Sequence, residues 1–211
     1  MSGFAPYFPS LNSSQRPTAS PTESPAILPR LRFETSPYHD SVEANAFNQA
    51  LTAGRVTTAE TAQFLARMYG FVQPYEEALR RHGAAFGPDW QLAQRYRAHF
   101  ILDDLARLGH LATPPQCPAL PPLETRAQLL GAMYVLEGST LGGQVIARQL
   151  AAAGIDGRTF FGSRAERTGP LWKQFTQLLE AAAAAEDADA DAIVASAILT
   201  FQTLAVWLIQ K

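Results

Sequence analysis

From Leu31 onward, apolar residues recur at the three- and four-residue spacing of a helix face, and no segment alternates apolar and polar residues between turn signals as a strand would. That pattern predicts an all-α chain, a single-domain bundle of roughly six helices. Ser36-Pro37 has the form of an N-cap followed by a first helical position, so the first helix is expected from there to a stop at Gly54. Thr57-Thr58-Ala59-Glu60 reads as a capping box. It should open a long helix through Phe64, Leu65, Met68, Tyr69, Val72 and Leu79, bent at Pro74 and ending near Gly83. Asp89 should start a third helix, through Tyr96, Phe100, Leu105 and Leu108, closed by Gly109. The proline-rich segment 112–123 reads as a loop, and a long helix is expected from about Glu124 to Gly154. After a loop containing Phe160-Phe161-Gly162, Pro170 begins another helix, and Asp187 to Asp191 lead into the last, which ends near Ile209.

Residues 1–30 differ in kind. They are rich in Pro, Ser and Thr and poor in aliphatic side chains, so they cannot bury enough apolar surface to offset the entropy of ordering. The expected organisation is a flexible arm, residues 1–30, followed by one helical domain, residues 31–211. The arm lacks a basic stretch followed by an apolar one, so no secretory signal is expected, and no apolar run of membrane-spanning length stands out. With one cysteine, Cys117, there is no intrachain disulfide framework. A net charge of −2 with scattered Lys and Arg argues against nucleic acid as a partner. The expectation is a cytoplasmic protein with neither a nucleic-acid nor a membrane partner.

Two features carry chemistry. The first is Tyr134-Val135-Leu136-Glu137-Gly138-Ser139-Thr140-Leu141-Gly142-Gly143-Gln144, which places three glycines within six residues of an apolar helical pattern. Each glycine costs about 1 kcal/mol relative to alanine inside a helix. Something should offset that cost. Gly138 and Gly142 are four apart and share a face. A face without side chains admits a flat ligand or another helix at close range, and it makes the helix easy to kink.

The second feature is Thr35-Ser36-Pro37-Tyr38-His39-Asp40-Ser41-Val42-Glu43. His39 and Glu43 are also four apart, so the carboxylate can lie against the imidazole, and a ligating histidine needs its second ring nitrogen held by an acceptor. A histidine on one helix and a bare glycine face on another are what a haem sandwich requires. His82, at the end of Arg80-Arg81-His82-Gly83, suits a helix C-terminus instead. His99 and His110 have no partner at metal-ligand spacing.

Taken together these two motifs resemble the haem oxygenase family. Leu31 to Glu43, read as L-R-x-x-T-x-x-x-H-x-x-x-E, is similar to that family's proximal helix, and Glu137 to Gln144 to the distal helix of its bacterial members, including those associated with bacteriophytochromes. The resemblance runs from about Leu31 to Trp207-Leu208 and implies haem sandwiched between proximal and distal helices. It implies His39 as iron ligand, Glu43 as that ligand's hydrogen-bond partner, and Gly138, Gly142 and Gly143 against the distal haem face. Arg32 and Lys173 become the expected propionate partners. Many members carry aspartate after the first distal glycine, where it organises water; here the residue is Ser139, which can order water but is no carboxylate. Gly138, Ser139 and Gly142 are therefore the expected catalytic face.

The implied reaction is oxidative ring opening of haem to biliverdin with release of CO and iron. It would use O2 and electrons from a ferredoxin, flavodoxin or reductase, with the biliverdin available to a bacteriophytochrome pathway. Haem would be both substrate and cofactor. Two other readings stay open: a haem-binding or haem-storage protein of the same fold without turnover, favoured by Ser139, and a bundle that binds another small molecule, as thiaminase-like relatives of the fold do. The latter expects a catalytic cysteine, and Cys117 lies in the proline loop.

Overall fold

The structure, a computed structural model, describes residues 26–185 and 189–209. Among them there is no strand; the chain forms nine α-helices and three short 3-10 turns. Helix α1 spans Ile27–Glu43, α2 Ala46–Thr52, α3 Thr58–Arg81, α4 Ala98–Arg107 and α5 Arg126–Gly138. They are followed by α6 Thr140–Ala152, α7 Thr159–Gly162, α8 Thr168–Ala183 and α9 Ala190–Ile209. The chain is all-α as expected, though divided more finely.

Helix α9 is the axis of the bundle, packed against α1, α3 and α5. By length and composition it is apolar enough to cross a membrane, a run that the sequence reading passed over. Its place in the fold accounts for that composition: Ile193, Ala197, Thr200, Phe201 and Leu204 are buried among the neighbouring helices. Its buried hydroxyls are satisfied, Ser196 donating to the Gln128 carbonyl on α5 at 2.7 Å and Thr200 to the Ser196 carbonyl at 2.7 Å. Gly131 lets α5 and α9 meet closely. A Cβ there would run into the Ile193 carbonyl and lie 2.7 Å from the Ala197 nitrogen.

Local chemistry sets the helix ends. Thr57 and Glu60 form the expected capping box, the Thr57 N–H donating to Glu60 at 2.8 Å and the Glu60 N–H to the Thr57 hydroxyl at 3.2 Å. Thr125 and Gln128 make a second one at the start of α5 that the sequence reading missed. Gly54, Gly109 and Gly154 take positive φ of 65°, 71° and 72° just past helix ends, where a side chain would be strained. The proline-rich segment is irregular as expected, held to α3 by the Cys117 N–H donating to the Gly70 carbonyl at 3.0 Å.

Several boundaries differ from the sequence reading. The first helix starts at Ile27, not at Ser36, and Pro37 lies inside it. Burial of Ile27, Leu31 and Thr35 outweighs the one N–H that proline withholds. Of the expected arm, residues 1–25 lie outside the described residues, and residues 27–30 belong to α1. The stretch after Asp89 forms 3-10 turns at Pro88–Trp90 and Leu92–Gln94, separated by Gln91 at φ 47°, and the α-helix begins only at Ala98. Phe160-Phe161-Gly162 is a helical turn, not a loop, and α8 begins at Thr168, two residues before Pro170. The helix expected from Glu124 to Gly154 is two helices, α5 and α6, broken at Ser139.

The close α5–α9 approach makes a specific prediction. Gly131→Val should lower unfolding stability by roughly 1–3 kcal/mol or more through overpacking against backbone atoms. Gly169→Ala, with nothing within 4 Å of the added carbon, should be neutral or slightly stabilising. Denaturant unfolding of the two variants checks this. Equal effects would show that the helix contact tolerates a side chain.

Candidate functional site

Helical spacing places Thr35, His39 and Glu43 on one stripe of α1, and Tyr134, Gly138 and Gly142 on one stripe of α5 and α6. Tyr134 lies close enough to Thr35 for the two to interact, so the stripes come near each other at this junction. Burial pushes the Tyr134 phenol up, against the opposing pull of the nearby Arg32 cation and the Thr35 contact. Tyr134 also rests against Trp172 on α8, ring centres 5.8 Å apart. Arg32 is exposed close to this junction, and exposed Lys173 follows Trp172 in α8.

His39 is 16% exposed, so most of the ring is held by protein while part stays accessible. Its Nε2 lies 3.9 Å from a Glu43 carboxylate oxygen and its Nδ1 3.7 Å from Asp40. On the α9 side the edge of Phe201 meets the ring at a centroid distance of 5.8 Å. Burial pushes the imidazole below its ordinary value of 6.5, and the Asp40 carboxylate pulls the other way. A neutral imidazole is the form that can give a lone pair to a metal.

The break between α5 and α6 has identifiable causes. Gly138 ends α5. The Ser139 hydroxyl donates back to the Leu136 carbonyl at 2.8 Å, and the Thr140 hydroxyl to the Glu137 carbonyl at 2.6 Å. Side-chain bonds of this kind to carbonyls of the preceding turn bend helices. A third donor reaches in from outside the helix: the Arg97 guanidinium gives one N–H to the Leu136 carbonyl at 2.9 Å and lies 3.5 Å from the Ser139 hydroxyl. Because Ser139 spends its proton on Leu136, it is left as an acceptor toward any water.

Below the break lies a buried charge cluster that the sequence reading did not find. Glu137, 3% exposed, pairs with Arg95 at 2.7 Å and Arg164 at 3.2 Å. Glu76, also buried, accepts the backbone N–H groups of Arg97 at 2.5 Å and Ala98 at 2.9 Å, and pairs with Arg80 at 3.3 Å. Buried Asp104 accepts the Phe160 N–H at 2.7 Å, anchoring α7. The available signal was Glu76 and Glu137 standing at buried positions of apolar helices, where a charge needs a partner.

The glycines separate into two kinds. Gly143 has a structural reason: a Cβ on it would sit 2.5 Å from the Phe161 carbonyl oxygen, so α7 occupies that space. Packing against α7 is thus one reason for a glycine at this position. Gly138 and Gly142 are buried on the stripe that carries Tyr134.

The chain is 33% identical over 148 residues to a haem oxygenase from Xanthomonas campestris pv. campestris (strain 8004), an alignment covering 69% of this chain and 87% of that protein. The chain belongs to the haem oxygenase family. Solved haem oxygenases share its fold at lower identity. The enzyme from Leptospira interrogans superposes with a TM-score of 0.73 at 20% identity, covering 87% of this chain and 98% of the other. Haem oxygenase-1 from the cyanobacterium Synechocystis sp. PCC6803, solved in complex with haem, superposes with a TM-score of 0.66 at 15% identity, covering 87% and 90%. No family model matches the chain.

The depressed imidazole yields a pH prediction for this haem oxygenase family member without ligand. The folded state binds the His39 proton less readily than the unfolded state, whose value is the ordinary 6.5. The associated stability is fully present above 6.5 and is lost as pH falls from there through the lower folded-state value. His39→Gln should flatten that part of the stability curve. Thermal melts between pH 7.5 and 5 test it, and identical slopes in the two proteins would show that His39 is not buried neutral.

Proposed function

We propose that this protein is a haem oxygenase in activity as well as family, opening haem oxidatively to biliverdin with release of CO and iron. The observation that supports the reading is the approach of Tyr134, on the stripe of Gly138 and Gly142, to Thr35, on the stripe of His39. The residues present suit haem. A mostly buried, neutral imidazole is backed by carboxylates, a helix break bears two buried glycines, and exposed Arg32 stands beside the junction. His39 would hold the iron, with Glu43 orienting the ring. Arg32 and Lys173 would pair with the propionates, and Gly138 and Gly142 would let backbone approach the porphyrin.

Haem supplies the redox chemistry, with O2 and electrons from a ferredoxin, flavodoxin or reductase as co-reactants. The protein's part is to ligate, orient and crowd one face of the ring. We place this activity in the cytoplasm, with biliverdin available to a phytochrome. A second reading, haem binding without turnover, draws on one observation: the Ser139 hydroxyl donates inward to Leu136, so it offers bound water an acceptor and no proton.

Aerobic incubation with haem and ascorbate, or with ferredoxin and its reductase, decides between them. Biliverdin formation supports the enzyme; haem bound one to one and left unchanged supports storage. His39→Ala should abolish turnover and alter the haem spectrum, with added imidazole restoring much of both. Glu43→Gln should be milder, about 10–100-fold. Wild-type spectra and rates in His39→Ala would remove the assignment.

The glycines separate by substitution. Gly142→Leu should leave the haem-free melting temperature unchanged or higher while losing haem affinity or product. Gly143→Leu should destabilise the haem-free protein by about 1–3 kcal/mol, because it meets the Phe161 backbone. A Gly142→Leu protein that melts low yet turns over haem normally in its folded fraction would assign that glycine to packing.

A further inference from the structure

We infer that Arg97 is a positioning residue for the distal helix, its guanidinium holding the α5–α6 break in the shape that presents Gly138 and Gly142. The inference rests on the haem oxygenase reading for its consequence, and on the geometry of the break for its substance.

Arg97 is 5% exposed, and its guanidinium bonds reach a carbonyl and a hydroxyl of the break: Leu136 at 2.9 Å and Ser139 at 3.5 Å. The ring of Phe160 lies beneath it, 4.7 Å from the guanidinium carbon. The nearby carboxylates are engaged elsewhere. Glu137 takes Arg95 and Arg164, and Glu76 takes Arg80 and the backbone N–H groups of Arg97 and Ala98. The charge is costly where it sits, since burial and the neighbouring Arg164 cation lower its pKa to about 10.

What it gains there is specific. Leu136 lies in the last turn of α5, where exposed carbonyls and the negative end of the helix dipole attract a cation. The Ser139 hydroxyl donates to the same carbonyl, so Arg97 and Ser139 together satisfy it from the side. These bonds tie the Leu136 carbonyl to the side of the helix that faces the charge cluster. The stripe bearing Gly138 and Gly142 lies on the other side of the helix, by the angular spacing of residues 136, 138 and 142. Holding one side of the bend therefore sets how the other side is offered.

This separates the role from general stability. Leu136 keeps its bond from Ser139 if Arg97 is removed, and Glu137 keeps both of its arginines. The fold should survive the loss of a charge that is expensive to bury. The break should not keep its shape.

The experiment compares wild type with Arg97→Gln and Arg97→Lys, first without haem. Amide hydrogen exchange over residues 138–143 should rise roughly tenfold in Arg97→Gln and less in Arg97→Lys, with α3 and α9 unchanged and the melting temperature close to wild type. With haem added, binding through His39 should hold within about threefold, while the haem spectrum shifts and biliverdin formation slows by about 10–100-fold. Exchange, spectrum and rate all matching wild type in both variants would overturn the role of Arg97 and leave the haem oxygenase reading standing. A collapse in melting temperature in both would overturn it too, by making Arg97 a support of the whole fold. If wild type neither binds nor degrades haem, the functional reading fails, and the haem-free exchange still judges whether Arg97 holds the break.

Discussion

The buried carboxylate of Glu137 is the interaction on which the arrangement of the distal half depends. Removing an ion from water costs several kcal/mol even after relaxation, and a single buried charge without a partner is not tolerated. Glu137 therefore needs Arg95 and Arg164, and those arginines arrive on segments with little regular structure of their own: the 3-10 turns before α4 and the connection between α7 and α8. Their pairing with Glu137 ties both segments to the end of α5. Arg95 also donates to the Trp90 carbonyl at 2.7 Å, so the same side chain pins the turn that precedes it. The region's order follows from an electrostatic necessity more than from helix propensity.

On that frame, glycine serves two different ends. At Gly131 and Gly70 it lets backbone meet backbone, joining α5 to α9 and α3 to the proline-rich segment, and at Gly143 it makes room for α7. These contacts are internal, and each glycine's cost in helix propensity is offset by a helix or loop packed against it. Gly138 and Gly142 are buried on the stripe that carries Tyr134, which comes near Thr35 of α1. Glycines that look alike in sequence thus serve different contacts: Gly70, Gly131 and Gly143 each face the backbone of a neighbouring segment.

The sequence made the helical class and the two stripes legible, because both are matters of period: three to four residues per turn places His39 with Glu43 and Gly138 with Gly142 whatever surrounds them. The Thr57 capping box and the stops at Gly54, Gly109 and Gly154 were readable for the same reason, being local. Pro37 misled because a proline after serine has the look of a helix start, and only the burial of Ile27 and Leu31 against α9 extends the helix backward through it. The break at Ser139 was signalled by the glycines, but its outside donor was not. Arg97 lies about forty residues from Leu136, a separation across which periodicity carries no information. The same holds for Glu137 and Arg164. Charged residues on apolar stripes mark that partners must exist without saying which they are.

The packing of α1 against α9 has a consequence for how the protein is made. The helix that carries His39 is the first of the described helices to leave the ribosome, and Phe201, which meets the His39 ring, lies on the last. Arg30 likewise closes on Asp191 at 2.8 Å. Chain segments emerge N-terminus first, and contacts of long sequence separation form slowly because loop closure precedes any gain. The histidine helix therefore lacks its main packing partner until the last of the described helices is synthesised. It completes its packing only when α9 arrives, so the chain's earliest-made chemical group is among the last to be set in place.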